Sequence, residues 1–101
     1  MIIIQTTLDE EKKAKELINL LLVTNKIACG TYNTIQSSYK WNNELVNEIE
    51  FEISLYTNES SMHSVVELVT ERHNYELPKI TVLEPTFTLP EYDEWVSNET
   101  F

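Results

Sequence analysis

A long β-hairpin around Asn42-Asn43 is the feature of this sequence that most restricts its fold. The segment from Ile27 to Trp41 has the pattern of one strand, interrupted near Gly30, the only glycine, where a bulge or a close backbone approach is predicted. Apolar and polar residues then alternate in the returning strand, with Ile49, Phe51, Ile53 and Leu55 on one face and Glu48, Glu50, Glu52 and Ser54 on the other. The alternation predicts one buried face and one acidic face that meets water or a partner.

The N-terminal part of the chain predicts a strand and a helix. The run Ile2–Ile4 is β-branched throughout, as is typical of a central strand. Thr7 and Glu10 have the spacing of a capping box, which predicts that the first helix begins here. We expect this helix to end near Asn25. Its predicted apolar face is Ala14, Leu17, Ile18, Leu21 and Leu22.

The C-terminal part repeats the strand and helix pattern and adds a terminal helix. Polar residues at 58–61 supply N-cap candidates for a second helix. Its apolar stripe is Met62, Val65, Val66 and Val69. A strand is predicted from Pro78 to Leu83, and Pro90 is placed to open a short last helix.

The order of these elements predicts an α+β protein of the ferredoxin-like, split βαβ type. Two strand–helix–strand halves (βαββαβ) give a four-stranded antiparallel sheet with two helices on one face, and the extra C-terminal helix is appended to it. We expect a single domain over residues 1–101. The hairpin strands are too long for such a domain, and protruding strand edges are natural pairing surfaces. Self-association is therefore expected.

The charge balance restricts the possible partners. Seventeen acidic against seven basic residues give a net charge of −10, which repels phosphate backbones and anionic lipid heads and attracts cations. We therefore expect no nucleic-acid and no membrane partner. Cys29 is the only cysteine, so no internal disulfide is possible, and no leader or membrane-spanning run is recognisable. These features predict a cytoplasmic protein.

Few residues are suited to metal or catalytic chemistry. The soft and borderline donors are Cys29, His63 and His73, with Glu76 as a carboxylate, and they show no tight ligand spacing. Cys29 also fits a small buried side chain, and His73 also fits a helix cap that is stabilised by the helix dipole when protonated. A Gly-rich phosphate loop and a Gly-x-Ser-x-Gly elbow are both absent from the sequence, which predicts a protein that is not an enzyme.

Aromatic residues are concentrated at the ends of the predicted elements. The set is Tyr39, Trp41, Tyr75, Tyr92 and Trp95. Large aromatics dominate both packed interfaces and ligand clefts, so the pattern alone leaves both interpretations open.

Four segments together resemble one known family. NKIACG, SSYKW, HNYELPKI and YDEW occur in the order and spacing of the CutA family, the divalent-cation tolerance proteins, and the resemblance extends from Ile2 to about Val96. It implies a ferredoxin-like subunit in a tight homotrimer similar to the PII signalling proteins. Members of the family are described as copper-binding.

The resemblance implies roles for matching positions. Metal ligands are expected at Cys29, His73 and Glu76, in a cleft between subunits that binds copper or another divalent cation. The residues expected to line this cleft are Tyr39, Trp41, Thr57, Tyr75 and Trp95.

The chain also departs from the family pattern. The departures are Gly30-Thr31, Tyr56, Asn74 and Glu44; two of them remove lysines and disfavour an anionic ligand. The alternatives are a structural or PII-like signalling trimer without a metal function, which could have an unidentified protein partner, and, less favoured, a small hydrolase.

Overall fold

Strands and helices follow one another in the order that the sequence predicts. The computed structural model describes all 101 residues. Its elements are β1 (Ile2–Leu8), α1 (Glu11–Val23), β2 (Cys29–Trp41), β3 (Glu44–Thr57), a single 3₁₀ turn (Glu59–Ser61), α2 (Met62–Arg72), β4 (Ile80–Leu83) and α3 (Pro90–Glu99). The four strands form one antiparallel sheet in the order β2-β3-β1-β4. The predicted ferredoxin-like α+β fold is confirmed.

The core lies between the helices and one face of this sheet. Side chains from β1, β3, α1 and α2, together with Ile27 just before β2, fill it, and β1 lies near the centre of the sheet. The twelve buried members are Ile2, Ile4, Leu8, Ala14, Leu17, Ile18, Leu21, Ile27, Ile53, Leu55, Val65 and Val69. The opposite face of the sheet, here called the open face, carries no helix of the split βαβ pair, because both helices pack on the core side.

A two-stranded ribbon projects beyond the rest of the sheet. β2 and β3 pair continuously from Cys29 opposite Tyr56 to Trp41 opposite Glu44, whereas β1 ends at Leu8, opposite Phe51. Residues 35–50, here called the ribbon, therefore have no third strand beside them. The radius of gyration is 14.2 Å, against about 13 Å for a compact domain of about 100 residues. The ribbon is what makes the chain elongated.

The turn at the tip of the ribbon has the predicted chemistry. Asn42 and Asn43 both have positive φ angles, 51° and 65°, as a two-residue type I′ turn requires. Asparagine tolerates this left-handed region better than most residues. The turn therefore fixes the register of the whole ribbon.

Gly30 allows a helix to pack closely on β2. A Cβ atom at this position would lie 2.7 Å from Cγ2 of Ile18 in α1. The pairing of β2 with β3 runs through Gly30 without an extra residue, so the bulge is not present. The predicted close approach is confirmed.

The predicted capping box at Thr7 and Glu10 is wrong. Thr7 belongs to β1, where it pairs with Glu52 and is buried, because the ladder with β3 extends β1 as far as Leu8. Helix α1 begins at Glu11 and has no side-chain cap at its N-terminus. Its other end is close to the prediction, since Asn25 adopts a positive φ of 58° just after the helix.

The predicted faces of β3 are correct only near the helices. Ile53 and Leu55 are fully buried, but Ile49 is 61% exposed and Glu50 only 7% exposed. Ile49 lies in the ribbon, beyond the reach of the core. Glu50 lies on the open face and is covered by the residues between α2 and β4, as described below.

We expect Gly30→Ala to lower the free energy of unfolding by about 1–3 kcal/mol, because overpacking a dense core costs this much. Urea denaturation of the single variant, of Ile18→Ala and of the double variant gives the coupling energy between the two sites. Removing both γ carbons of Ile18 relieves the clash, so Gly30→Ala should cost much less in the Ile18→Ala background. Equal costs in both backgrounds would contradict the close approach as the cause.

Candidate ligand-binding cleft

A cleft lies where the ribbon leaves the sheet. The α2–β4 connection, residues 73–79, faces the open face of β2 and β3 and encloses a volume of about 610 Å³ with it. The cleft is lined by Thr7, Ser37, Ser38, Tyr39, Lys40, Trp41, Glu48, Glu50, Tyr75, Glu76, Leu77 and Lys79. Ser37, Tyr39, Trp41, Glu48 and Glu50 reach it because odd-numbered positions of β2 pair with even-numbered positions of β3, and both point away from the core.

A buried carboxylate holds the two walls of the cleft together. Tyr75 donates its hydroxyl hydrogen to Oε2 of Glu50 over 2.8 Å. Burial alone would raise the pKa of Glu50, but hydrogen bonds from Ser37, Tyr75 and Thr7 outweigh it, so its pKa is lowered. The ionised carboxylate is therefore the form that the fold stabilises. It joins the α2–β4 connection to the base of the ribbon.

The same hydrogen bond shifts the pKa of Tyr75 upward, opposite to its effect on the pKa of Glu50. Burial and the nearby Glu50 carboxylate raise the pKa of Tyr75 well above its usual value. Tyr75 consequently remains a protonated donor at any physiological pH.

His73 contacts both the backbone and the ring of Tyr75. Its Nδ1 accepts a hydrogen bond from the backbone N–H of Tyr75 over 3.2 Å, and its Nε2 lies 3.2 Å from Oγ1 of Thr6. The two rings are in edge contact, with centroids 4.7 Å apart. Since Nδ1 accepts, Nε2 carries the ring hydrogen and donates it to Thr6. Both ring nitrogens of His73 are thus engaged within its own chain.

The neutral form of His73 is the favoured one. Burial lowers its pKa, and this effect exceeds the opposite influence of a hydrogen bond with the Thr7 backbone and of the charges of Asp9 and Glu50. His73 follows the last residue of α2, as predicted. The protonated form, which would interact favourably with the helix dipole, is therefore the less favoured one, because desolvation disfavours the imidazolium.

The ribbon wall of the cleft presents two aromatic rings. Tyr39 and Trp41 occupy alternate positions on the open face and are 40% and 39% exposed. Tyr39 donates to Oε1 of Glu48 over 2.6 Å, and this hydrogen bond raises the pKa of Tyr39 to about 12. With Tyr75 and exposed Glu76 opposite, the structure brings together four of the predicted site residues.

Three of the other predicted site residues, Cys29, Thr57 and Trp95, lie at the opposite end of the sheet from the cleft, whereas His73 lies behind Tyr75. Cys29 pairs with Tyr56, which in turn lies opposite Ile3, whereas the cleft begins at Thr7, about 13 Å further along β1 at the usual rise of a strand. Within one chain, Cys29 therefore does not meet His73 or Glu76.

Thr57 and Trp95 do not line the cleft either. Thr57 is fully buried and donates its hydroxyl hydrogen to the carbonyl oxygen of Lys26 over 2.6 Å. Trp95 lies on α3 beside Tyr92, with ring centroids 5.5 Å apart. Both residues are at the end of the sheet where α3 packs, so only a neighbouring chain could bring them to a cleft.

A complete metal site is not formed by a single chain. No group of three or more His, Cys, Asp or Glu residues converges in the structure. His63, the other histidine, is exposed near the start of α2. The predicted ligand set Cys29, His73 and Glu76 accordingly stays a prediction that depends on neighbouring chains.

Glu50 is the residue that sequence reasoning missed. The alternating pattern of β3 placed it among solvated acids, because its neighbours Glu48 and Glu52 belong to the same face. The carboxylate of Glu50 is covered by Tyr75, twenty-five positions later in the chain. A pattern within a few residues cannot predict such a contact.

The fold and the cleft define a ferredoxin-like α+β protein with a protruding β-ribbon. The same architecture is found in the solved structure of the PII-like protein CutA from Nostoc sp. PCC 7120, with a TM-score of 0.93, 27% identity and coverage of 100% of this chain and 98% of that one. The family model of the CutA1 divalent ion tolerance protein matches residues 2–99. This chain belongs to the CutA1 family, as the resemblance implied.

Individual relatives agree with this assignment. The divalent-cation tolerance protein CutA of Thermotoga maritima is 33% identical over 96 residues, 95% of each chain. The crystal structure of CutA1 from Pyrococcus horikoshii has a TM-score of 0.94 and 27% identity, and the match covers 100% of this chain and 99% of that one. These proteins are named for tolerance of divalent cations, and their names state no enzymatic activity.

The cellular location stays a prediction. A relative from Arabidopsis thaliana, 26% identical over 98% of this chain and 55% of its own length, is named chloroplastic. In the structure itself, no helix combines the length and the apolar character that a bilayer crossing requires.

Two tyrosine–glutamate pairs allow a matched comparison of buried and exposed hydrogen bonds. We expect Tyr75→Phe to lower the free energy of unfolding by about 1–2 kcal/mol, because it removes a donor from a buried carboxylate. Tyr39→Phe, which acts on exposed Glu48, should change it by no more than about 0.5 kcal/mol. Urea denaturation at neutral pH measures both. A Tyr75→Phe cost no larger than that of Tyr39→Phe would contradict the role given to Glu50.

The same variants give the sign of the pH dependence. The folded-state pKa of Glu50 is lowered, so its stabilisation is fully present above the unfolded value of about 4.5 and is lost as the pH falls through the folded value. We therefore expect the difference between Tyr75→Phe and the parent protein to shrink below about pH 4.

Proposed function

We propose that this CutA-family protein is a homotrimer without enzymatic activity that contributes to divalent-cation tolerance. In this proposal it binds copper or another divalent cation in clefts between neighbouring chains. The observation that supports it best is the ribbon, which exposes apolar side chains that one chain has no means of covering.

The ribbon has the properties of an unpaired interface. Leu45 and Ile49 are 78% and 61% exposed, and Tyr39 and Trp41, on the other face of the ribbon, are 40% and 39% exposed. Only 18 of the 101 residues are buried in the isolated chain. Burying one side chain such as leucine contributes about 1.5–3 kcal/mol, so packing of the ribbons against other copies would stabilise the protein substantially.

A divalent cation would have to be held by more than one chain. Cys29 and the pair His73 and Glu76 lie at opposite ends of the sheet, and chains packed side by side could bring the thiolate of one to the cleft of another. Thiolate and imidazole favour copper or zinc, while carboxylates accept harder cations as well. The net charge of −10 favours the binding of both kinds of cation.

A structural or PII-like signalling trimer is the second candidate. It is favoured by the hydrogen bonds of His73, because coordination to a metal requires that Nδ1 or Nε2 give up its present partner. In this case the cleft would serve assembly or a ligand other than a metal.

The trimer is tested by light scattering of the parent protein and of two charge variants. We expect a mass about three times 11.8 kDa for the parent protein. Leu45→Asp should weaken assembly, because it places a charge in the apolar interface. Val23→Asp is the matched control, since Val23 at the end of α1 is equally exposed, at 75%, but lies away from the ribbon. A parent protein with the mass of one chain would refute the proposal.

Metal binding is tested by native mass spectrometry with and without copper. We expect copper uptake by the trimer, with weaker uptake in Cys29→Ser and in His73→Ala. His63→Ala is the matched control, because it removes an exposed histidine outside the cleft. A trimer that takes up no copper, or whose uptake is unchanged in both variants, would reject these ligands and favour the second candidate.

A further inference from the structure

We propose that residues 74–79, here called the strap, open as a unit while the sheet and the helices stay folded, and that this opening frees Nδ1 of His73. The strap is the part of the α2–β4 connection that follows His73. The second half of the proposal rests on the proposed function, in which His73 is a metal ligand, and adds the conformational step that makes its nitrogen available. Three features within one chain support it: the backbone of the strap, its two ends and its side-chain contacts.

The backbone of the strap makes no hydrogen bond to another backbone group. Eleven backbone–backbone hydrogen bonds lie outside the helices and strands, and none of them involves residues 74–79. The strap also contributes no side chain to the core cluster. Segments with few buried apolar contacts and few backbone hydrogen bonds open at a lower free energy than the core of a protein. The strap therefore has the properties of a segment that opens locally.

Both ends of the strap are anchored on the same residue, Thr6 of β1. At one end, Nε2 of His73 lies 3.2 Å from Oγ1 of Thr6. At the other end, Ile80 pairs with Thr6 in the ladder between β1 and β4. A short surface loop whose ends lie close together is an Ω-loop. Because Thr6 is fully buried and keeps both ends in place, the strap can leave the sheet without a movement of α2 or β4.

Three side-chain contacts hold the strap closed, and each joins a donor of the strap to a carboxylate elsewhere in the chain. The pairs are Asn74–Asp9 (3.3 Å), Tyr75–Glu50 (2.8 Å) and Lys79–Glu52 (4.0 Å). Of the three carboxylates, only that of Glu50 is buried. Contacts between exposed polar groups contribute little to stability, whereas a hydrogen bond to a buried charge contributes more. The attachment of the strap therefore depends mainly on the bond between Tyr75 and Glu50.

Opening of the strap changes what His73 can bind. Its Nε2 contacts Thr6, and its Nδ1 accepts a hydrogen bond from the backbone N–H of Tyr75 over 3.2 Å. The position of Tyr75 is fixed in turn by its hydroxyl bond to Glu50. Once that bond breaks, the backbone of Tyr75 is free to turn away, and Nδ1 presents an unoccupied lone pair on a ring that Thr6 still holds. The lone pair of a neutral imidazole is a common metal ligand.

Hydrogen exchange followed by NMR distinguishes opening of the strap from unfolding of the whole chain. The probe is the N–H of Tyr75, which His73 protects only in the closed form, and the N–H of Ile53 in the core reports global unfolding. We expect about 1 M urea to change the exchange rate at Tyr75 less than about twofold and to raise that at Ile53 about tenfold or more. A Tyr75 amide that is unprotected, or that is as sensitive to urea as Ile53, would overturn the proposal.

Two tyrosine variants test the role of the buried hydrogen bond. Tyr75→Phe and Tyr32→Phe each remove a hydroxyl that donates to a carboxylate, but Tyr32 donates to Oε2 of Glu11 over 3.1 Å and packs against the core side of the sheet, away from the strap. We expect Tyr75→Phe to raise the exchange rate at position 75 about tenfold, and Tyr32→Phe to leave it within about twofold of the parent protein. Equal rates in the two variants would contradict the proposed attachment.

Copper titration shows whether opening of the strap makes His73 available. A ligand that binds only the open form has an apparent dissociation constant inversely proportional to the open fraction. Calorimetry with copper(II) chloride should therefore give a dissociation constant about tenfold lower for Tyr75→Phe than for the parent protein, and an unchanged one for Tyr32→Phe. An unchanged or higher value for Tyr75→Phe would refute the link to His73. A parent trimer that takes up no copper refutes the proposed function instead, and the exchange at Tyr75 then decides whether the strap opens.

Discussion

The unequal length of the strands governs the rest of this structure. β2 and β3 contain 13 and 14 residues, whereas β1 has 7 and β4 has 4. Half of the β2–β3 pair therefore lies beside the core and half projects as the ribbon. The projecting half exposes Leu45 and Ile49, and its base leaves a step in the sheet, against which the α2–β4 connection folds. The assembly surface and the cleft have this common origin.

The buried carboxylate of Glu50 determines the chemistry of the cleft. Its hydrogen bond with Tyr75 fixes the connection in place, and His73 holds the backbone of the same tyrosine. The resemblance to the family draws attention to His73 and Glu76 as metal ligands and to Tyr75 as a residue that lines the cleft. In this chain, His73 and Tyr75 already make hydrogen bonds that stabilise the cleft. Both ring nitrogens of His73 are engaged in them. Membership of the CutA1 family is compatible with a structural role and with a metal-binding role of His73.

The sequence predicts those features whose causes are local. The turn at Asn42-Asn43, the order of elements and the buried faces near Ile53 and Leu55 all follow from patterns within a few residues of each other. Ile49 is exposed and Glu50 is buried, the reverse of what the alternation predicts. The sequence pattern could not show this, because the burial of the two residues depends on where β1 ends and on a connection far along the chain. Thr7 was assigned to a helix cap for the same reason: only its pairing with Glu52 keeps it in a strand. Cys29 and His73 belong to two different motif segments of the family and lie far apart in the fold of one chain, because a motif gives the order of residues along the chain and not their distance in space.

The two-residue turn at the tip of the ribbon also affects how chain entropy is lost during folding. Every β2–β3 contact can be added next to one already formed, starting from Asn42-Asn43, so each step closes almost no additional loop. The central strand β1 is different, because Ile2 pairs with Thr57, 55 positions later, and Ile3 pairs with Leu83, 80 positions later. Most of the entropic barrier of this topology therefore falls on the recruitment of the N-terminal strand, although the ribbon is the part of the molecule that projects furthest from the core.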